Sequence, residues 1–295
     1  MDESWAGLRA LLALAERGSF RAAAGELRLT PSAVSKAVTR LEQRHGIRLV
    51  ERSRRATVLT EAGQALAQQG RHAVDALAAA DDILRDGAGE LRGTVRLDLP
   101  PAFGRRWVLP VLLDLQARHR QLRLELGFSS RNRELVAEGV DLAVRIGHLQ
   151  DRAELVARGL GIQPTALFAS SDYLAAAAPL QVATDLGQHA CLLQAPGERW
   201  SWLGPGVAQS SRLLLADSSA LLQAVIAGQG IARLPTWMAA EAVNAGALRT
   251  VLGDVPAPAL PIHALWPRGR YLPRRVRVVI DALVAALAAE PAFNP

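Results

Sequence analysis

The threonine-proline pair at Thr30-Pro31 marks the start of a helix more firmly than any other pair in this sequence. The hydroxyl is placed to accept a backbone N–H from the first turn, and proline at the first helical position gives up an N–H that would have gone unpaired there. From Pro31 the helix is predicted to run to about His45-Gly46. Helical spacing puts Val34, Val38 and Leu41 on one face, with Ala37 beside them, and Ser32, Ser35, Lys36, Thr39, Arg40 and Gln43 on the other. One face packs, and the other is left to a partner.

Two helices precede it. The segment from Trp5 to Arg17 carries Leu8, Leu11, Leu12, Leu14 and Ala15 at helical spacing and stops at Gly18. Ser19 then caps a short helix through Ala22, Ala23, Ala24 and Leu27, whose small side chains let another helix approach closely. Beyond Gly46, two extended pieces around Ile47–Glu51 and Thr57–Leu59 flank the basic turn Arg52-Ser53-Arg54-Arg55, the pattern of a β-hairpin wing. Thr60-Glu61 opens a long helix to about Arg85, with a loose apolar stripe at Leu66, Ala73, Leu77, Ala80, Ile83 and Leu84 that asks for a second helix. A glycine-rich linker follows over residues 86–90.

After the linker the apolar period alternates between two and 3.6 residues. Strands are expected at Val95–Leu99, Leu122–Phe128 and Leu142–Ile146, with a helix from about Arg106 to His119 and a short one around Glu134–Ala137. A second block has strands at Ala166–Ala169, Cys191–Leu193, Leu213–Leu215 and Ile231–Leu234 and a helix from Ser218 to Ala227. Ile262–Trp266 reads as a strand returning to the first block, and Arg274–Ala288 as a closing amphipathic helix. This is the pattern of a wound α/β sheet in two lobes.

Charge is concentrated where the helix-rich part lies. Residues 1–60 hold eleven basic and six acidic side chains, so five of the net +6 belong to the first fifth of the chain. All but one of the 34 basic residues are arginine, the exception being Lys36. Codon bias accounts for much of that excess, but not for its location, and the location points to nucleic acid. The one cysteine, Cys191, excludes a disulfide framework and fits a reducing cytoplasm. No signal peptide and no membrane-length apolar run is seen. The histidines are scattered without ligand spacing, and neither a nucleophile elbow nor a phosphate loop occurs. No metal, cofactor or catalytic residue is therefore expected, and the chain is not read as an enzyme.

Several ordered motifs share one resemblance. Gly18-Ser19-Phe20-Arg21-Ala22-Ala23-Ala24, Thr30-Pro31-Ser32-Ala33-Val34-Ser35-Lys36, Arg40-Leu41-Glu42 and Leu59-Thr60-Glu61-Ala62-Gly63 stand in the first part. Ala102-Phe103-Gly104-Arg105-Arg106, the run from Glu138 to Gly147, and Ala227-Gly228-Gln229-Gly230-Ile231-Ala232 stand in the second. Together they resemble the LysR-type transcriptional regulators, in their CrgA-like branch, over the whole chain. The resemblance implies an α+β multidomain protein: a winged helix-turn-helix domain (residues 1–60), a linker and dimerisation helix (61–86), a hinge (87–92) and an effector-binding domain (93–295). That last domain resembles periplasmic binding proteins, with lobe I at 93–162 and 265–295 and lobe II at 163–264. It also implies a homodimer or homotetramer, with RNA polymerase a candidate further partner.

Candidate site residues follow. The start of the third helix should enter the major groove of double-stranded DNA, so Ser32, Ser35 and Lys36 are placed at base edges. Pro31 and Thr39 lie on the same surface, and Thr30, Arg40, Arg52, Arg54 and Arg55 are assigned to phosphates. A solvated helix face is the plain alternative for Lys36. For a small-molecule effector, Pro101-Ala102-Phe103, Ser129-Ser130 and Ser218-Ser219 lie at strand ends or helix starts, where unpaired N–H groups converge. Arg145 and Gly147 end a strand at the same crevice, with an internal ion pair as the other reading of Arg145. Phe103 and Trp200 line the pocket or belong to the core.

The expected function is a sequence-specific transcription regulator whose activity responds to an effector bound between two lobes. A solute-binding protein would need an export signal and no basic first domain. An architectural DNA protein would have no use for about 200 residues of sheet.

Overall fold

The computed structural model describes residues 3–52, 57–84, 91–130, 134–149, 153–195, 198–211, 213–269 and 272–293. The chain divides into two compact units, one holding residues 1–89 with 136–139 and the other 90–135 with 140–295.

In the first unit α1 (Glu3–Arg17), α2 (Phe20–Leu27) and α3 (Pro31–His45) enclose a core of Leu11, Leu14, Ala23, Val34, Val38 and Leu41. The caps are those of the sequence: Ser19 Oγ accepts from Ala22 N–H and Thr30 Oγ1 from Ala33 N–H, each at 3.2 Å. Gly46 ends α3 in the left-handed region at φ 66°. Strands β1 (Val50–Arg52) and β2 (Thr57–Leu59) pair antiparallel as a wing. Its base is tied to α3 by Glu42, whose Oε1 accepts from the N–H groups of Leu49 at 2.8 Å and Val50 at 3.1 Å. Helix α4 (Glu61–Leu84) then starts tight against the wing. A Cβ on Gly63 would stand 2.0 Å from the Leu49 carbonyl oxygen, so glycine is required there by close approach. The end of the expected linker helix and most of the expected hinge lie outside the described residues.

The second unit opens with β3 (Arg92–Leu99), which turns at Pro100 into α5 (Pro101–Phe103), a π-helical turn (Gly104–Val108) and α6 (Leu109–Arg118). The helix thus begins at Pro101, earlier than expected. Strands β4 (Gln121–Phe128), β5 (Leu142–Ile146) and β6 (Leu155–Gln163) complete the outgoing half of the first lobe. Lobe II contains β7 (Thr165–Ser170), α7 (Ser171–Ala176), β8 (Cys191–Leu192), α8 (Ser218–Ile226), β9 (Ile231–Pro235), α9 (Thr236–Asn244) and β10 (Leu248–Val251). Strand β11 (Leu260–Pro267) returns, and α10 (Arg274–Ala288) closes the first lobe.

The first sheet has the order β4-β3-β5-β11-β6 and the second β10-β7-β9-β8. Both are mixed: β3 is parallel to β4 and β5, while β11 runs antiparallel to both its neighbours. Val95, Leu97, Leu112, Val144, Ile262, Val279 and Leu283 fill the core between the first sheet and helices α6 and α10. The second sheet is covered on both faces, by one cluster around Leu186, Cys191 and Trp200 and another around Leu221, Val225 and Leu234.

Three expectations are corrected. Residues 135–139 form hydrogen-bonded turns in place of a helix, closed by Val140 N–H to the Leu135 carbonyl at 2.9 Å, with Gly139 at φ 67°. Leu213–Leu215 contributes a single bridge, Leu193 to Leu214, not a strand. The return to the first lobe falls before Leu260, because β11 lies wholly in the first sheet, and not at 264–265. The two passages between lobes run side by side: Gln163 is paired with Leu260, and Thr165 Oγ1 donates to the Pro258 carbonyl at 2.9 Å.

Candidate functional site

In the first unit, Val34 and Val38 are fully buried and Leu41 is 6% exposed, so α3 is seated by the apolar stripe that its spacing predicts. The opposite face is open: Thr30, Pro31, Ser32, Lys36 and Arg40 are exposed and Ser35 and Thr39 are half-buried. Thr30 Oγ1 and Ser32 Oγ lie 3.1 Å apart, which groups two hydroxyls at the helix start. Lys36 makes no ion pair among the described residues, and its ammonium stands in solvent. Arg52 closes β1, with its side chain outside what is described, and Arg54 and Arg55 fall outside the described residues altogether.

In the second unit a cavity of about 390 Å³ lies between the two sheets, at the carboxyl ends of β3, β4 and β5. Of the residues expected there, Pro101, Ala102, Phe103, Ser129, Ser130, Arg145 and Ser218 line it. Gly147, Ser219 and Trp200 do not. Gly147 instead donates its N–H to the Pro261 carbonyl at 2.8 Å, and Ser219 is exposed beside the cap of α8. Trp200 is 1% exposed and packs in the second lobe's core, its ring 6.1 Å from that of Trp202.

The charges are largely internal. Arg145 Nη2 meets Asp98 Oδ2 at 2.6 Å, and Nη1 donates to the Val144 and Asp98 carbonyls. Asp98 is 1% exposed, so this is a buried pair. Asp217 caps α8, accepting from the Ala220 N–H at 2.9 Å. Arg233 is less well matched: Glu198 is 4.0 Å away, and the guanidinium lies 4.9 Å over the Trp202 ring. Burial lowers the Arg233 pKa, an effect the Glu198 charge opposes. One wall is apolar, formed by Phe103, Trp237, Met238 and Leu260, with Phe103 and Trp237 meeting edge to face at 6.5 Å.

Nothing in either unit assembles a metal cluster among the described residues, and no described helix is long and apolar enough to cross a membrane. The profile of the bacterial regulatory helix-turn-helix proteins of the lysR family matches residues 5–64, and that of the LysR substrate binding domain matches residues 88–288. This chain belongs to the LysR family. It is a transcription regulator with a helix-turn-helix DNA-binding domain and an effector-binding domain.

Relatives of this LysR-type regulator match along nearly its whole length. It is 32% identical over 268 residues to an HTH-type transcriptional regulator of Haemophilus influenzae, covering 88% of this chain and 93% of the relative. It is 31% identical over 294 residues to the HTH-type transcriptional regulator PtxR of Pseudomonas aeruginosa, covering 96% and 93%. Among solved structures, CrgA of Neisseria meningitidis superposes with a TM-score of 0.61 at 27% identity, covering 95% of this chain and 98% of that one.

The cleft of the LysR-type chain also contains residues that sequence reasoning did not nominate: Gln163, Thr165, Gln194, Asp217, Arg233 and Trp237. Asp217 was legible, because a carboxylate directly before Ser218-Ser219 is an N-cap signal. Gln163 ends β6 of the first lobe, while Thr165 opens β7, Gln194 follows β8, Arg233 sits within β9 and Trp237 starts α9 in the second; none carries a local motif.

Proposed function

We propose that this regulator reads double-stranded DNA with the start of α3 and that occupancy of the cleft between its lobes adjusts the reading. The observation that carries the proposal is the division of α3, whose valines and leucine are buried while Ser32, Lys36 and Arg40 are exposed. Ser32, Ser35 and Lys36 are assigned to base edges in the major groove, where an ammonium pairs best with guanine acceptors. Pro31 and Thr39 shape the same surface. Thr30, Arg40, Arg52, Arg54 and Arg55 are assigned to phosphates, which set register and carry little sequence information.

Assembly as a homodimer or homotetramer through the helix 61–86 would repeat the reading head on a two-fold site. A small molecule that prefers one lobe arrangement shifts the population toward it, and the spacing of the DNA-binding pairs follows. RNA polymerase is the further partner that a promoter-bound regulator would meet. The protein is assigned to the cytoplasm, without catalytic activity or a cofactor.

The test is an anisotropy titration of a candidate operator and a random duplex. Lys36→Ala should cost ~1–3 kcal/mol on the operator and compress the ratio between the two DNAs. Arg54→Ala should weaken both alike and lower the salt slope by about one. Equal loss on both duplexes for Lys36→Ala would reassign it to a phosphate, and no duplex binding at low salt in any ligand state would end the reading.

A further inference from the structure

The cavity wall contains a hydrogen-bond donor that the protein does not use. Gln163 is 3% exposed and ends β6 where the chain leaves the first lobe. The Trp237 indole N–H donates to its Oε1 at 3.0 Å. An indole N–H only donates, so the Gln163 carbonyl must face it and the amide NH2 must face away; flipping the amide would set two donors against each other. Among the described residues no acceptor meets Nε2. An amide donor in a cavity wall without a protein partner takes its acceptor from whatever fills the cavity.

The charges around it are unequally matched. Arg145 is taken by Asp98 at 2.6 Å. The Asp217 carboxylate is turned to the Ala220 N–H, where the positive end of α8 offsets it. Arg233 has its carboxylate only at 4.0 Å, and that residue, Glu198, also accepts the Gln194 N–H at 2.6 Å. One guanidinium and one amide are thus left facing the cleft with donor capacity to spare.

We infer that the cleft takes a small organic carboxylate, its two oxygens accepting from Gln163 and Arg233 and its apolar body lying against Phe103, Trp237 and Leu260. Gln163 is the residue that sets head-group preference, and Trp237 is the positioning residue that holds its amide in the donating sense. This inference rests on the cleft being the ligand site of the regulator.

Benzoate, benzamide and benzamidinium share one flat body and differ in the head group, so calorimetric titration of the full chain with all three isolates the feature in question. Benzoate should bind at least about tenfold more tightly than either of the others, because only it offers two acceptors and no repelled proton. Gln163→Glu keeps an oxygen for Trp237 and replaces the NH2 with a second oxygen. It should reverse the order, so that benzamidinium is favoured. If that variant folds poorly, judged by its melting temperature without ligand, Arg233→Met should weaken benzoate while leaving benzamide within about twofold. Benzamidinium binding wild type as tightly as benzoate overturns the inference, as does an order unchanged by both variants or no heat with any probe at millimolar concentration. Anisotropy on duplex DNA without probes keeps the two readings apart: DNA binding that survives a wrong probe order costs only the head-group assignment.

Discussion

The Arg145 guanidinium lies 2.6 Å from the Asp98 carboxylate across neighbouring strands, so a cation that sequence reasoning offered to the ligand is largely spent on the protein. Asp98 is almost wholly buried and Arg145 nearly so, which makes the pair costly to break from one side only. Asp98→Ala should destabilise the effector domain by about 3–5 kcal/mol, read from urea unfolding, because the guanidinium remains in the cleft without its carboxylate. Asp98→Ala together with Arg145→Met should recover much of the loss. A double variant as unstable as the single one would show that the strands need the charges for some other reason.

Gly63 against Leu49 sets two magnitudes in opposition. Alanine is favoured over glycine within a helix by about 1 kcal/mol, so Gly63→Ala on propensity alone should stabilise α4. The new Cβ would stand 2.0 Å from a backbone oxygen, however, and neither the helix nor the wing base has a flexible side chain to move aside. Overpacking of that kind costs ~1–3 kcal/mol, so the variant should melt lower and bind duplex DNA more weakly. A higher melting temperature would mean that α4 starts further from the wing than described.

Cys191 is fully buried, and burial pushes its thiol up to about 11. At about pH 8 it stays protonated in the folded protein, and only the thiolate is nucleophilic. Iodoacetamide should leave native protein unmodified over hours and label it promptly in denaturant, followed by mass spectrometry. Rapid labelling of the native chain would show that the second lobe opens.

His263 supplies a pH dependence. Desolvation, with a smaller contribution from the His148 charge, lowers its pKa below the ordinary 6.5. The unfolded chain therefore takes up a proton before the folded one does, so the contribution to stability is complete above about 6.5 and is lost as pH falls below that value. His263→Gln should flatten that part of the stability curve. An unchanged curve would assign the acid sensitivity to other groups.

Much of the fold was legible because it is locally encoded. Thr30, Gly46 and the valine-leucine stripe determine α3 from residues within one or two turns, and Ser19 does the same for α2. Local signals failed where closure is non-local or the pattern is broken. Glu134–Ala137 looked helical, but the segment forms turns and Gly139 takes the chain left-handed at φ 67°. Strand β6 escaped notice because Gly159 and Gly161 interrupt its alternation, and it is defined by its pairing with β11, about a hundred residues later. The cleft divides likewise: the runs at Pro101, Ser129 and Ser218 stood out as strand ends or helix starts. Gln163 and Trp237 are joined by a hydrogen bond across 74 positions that no local pattern announces.

The two neighbouring spans joining the lobes, held together by Gln163 beside Leu260 and Thr165 against Pro258, have a mechanical consequence. A single tether would let one half spin; a pair of adjacent tethers forbids spinning and leaves a swing about the line through both. In a swing the far rim travels most and the pivot scarcely at all.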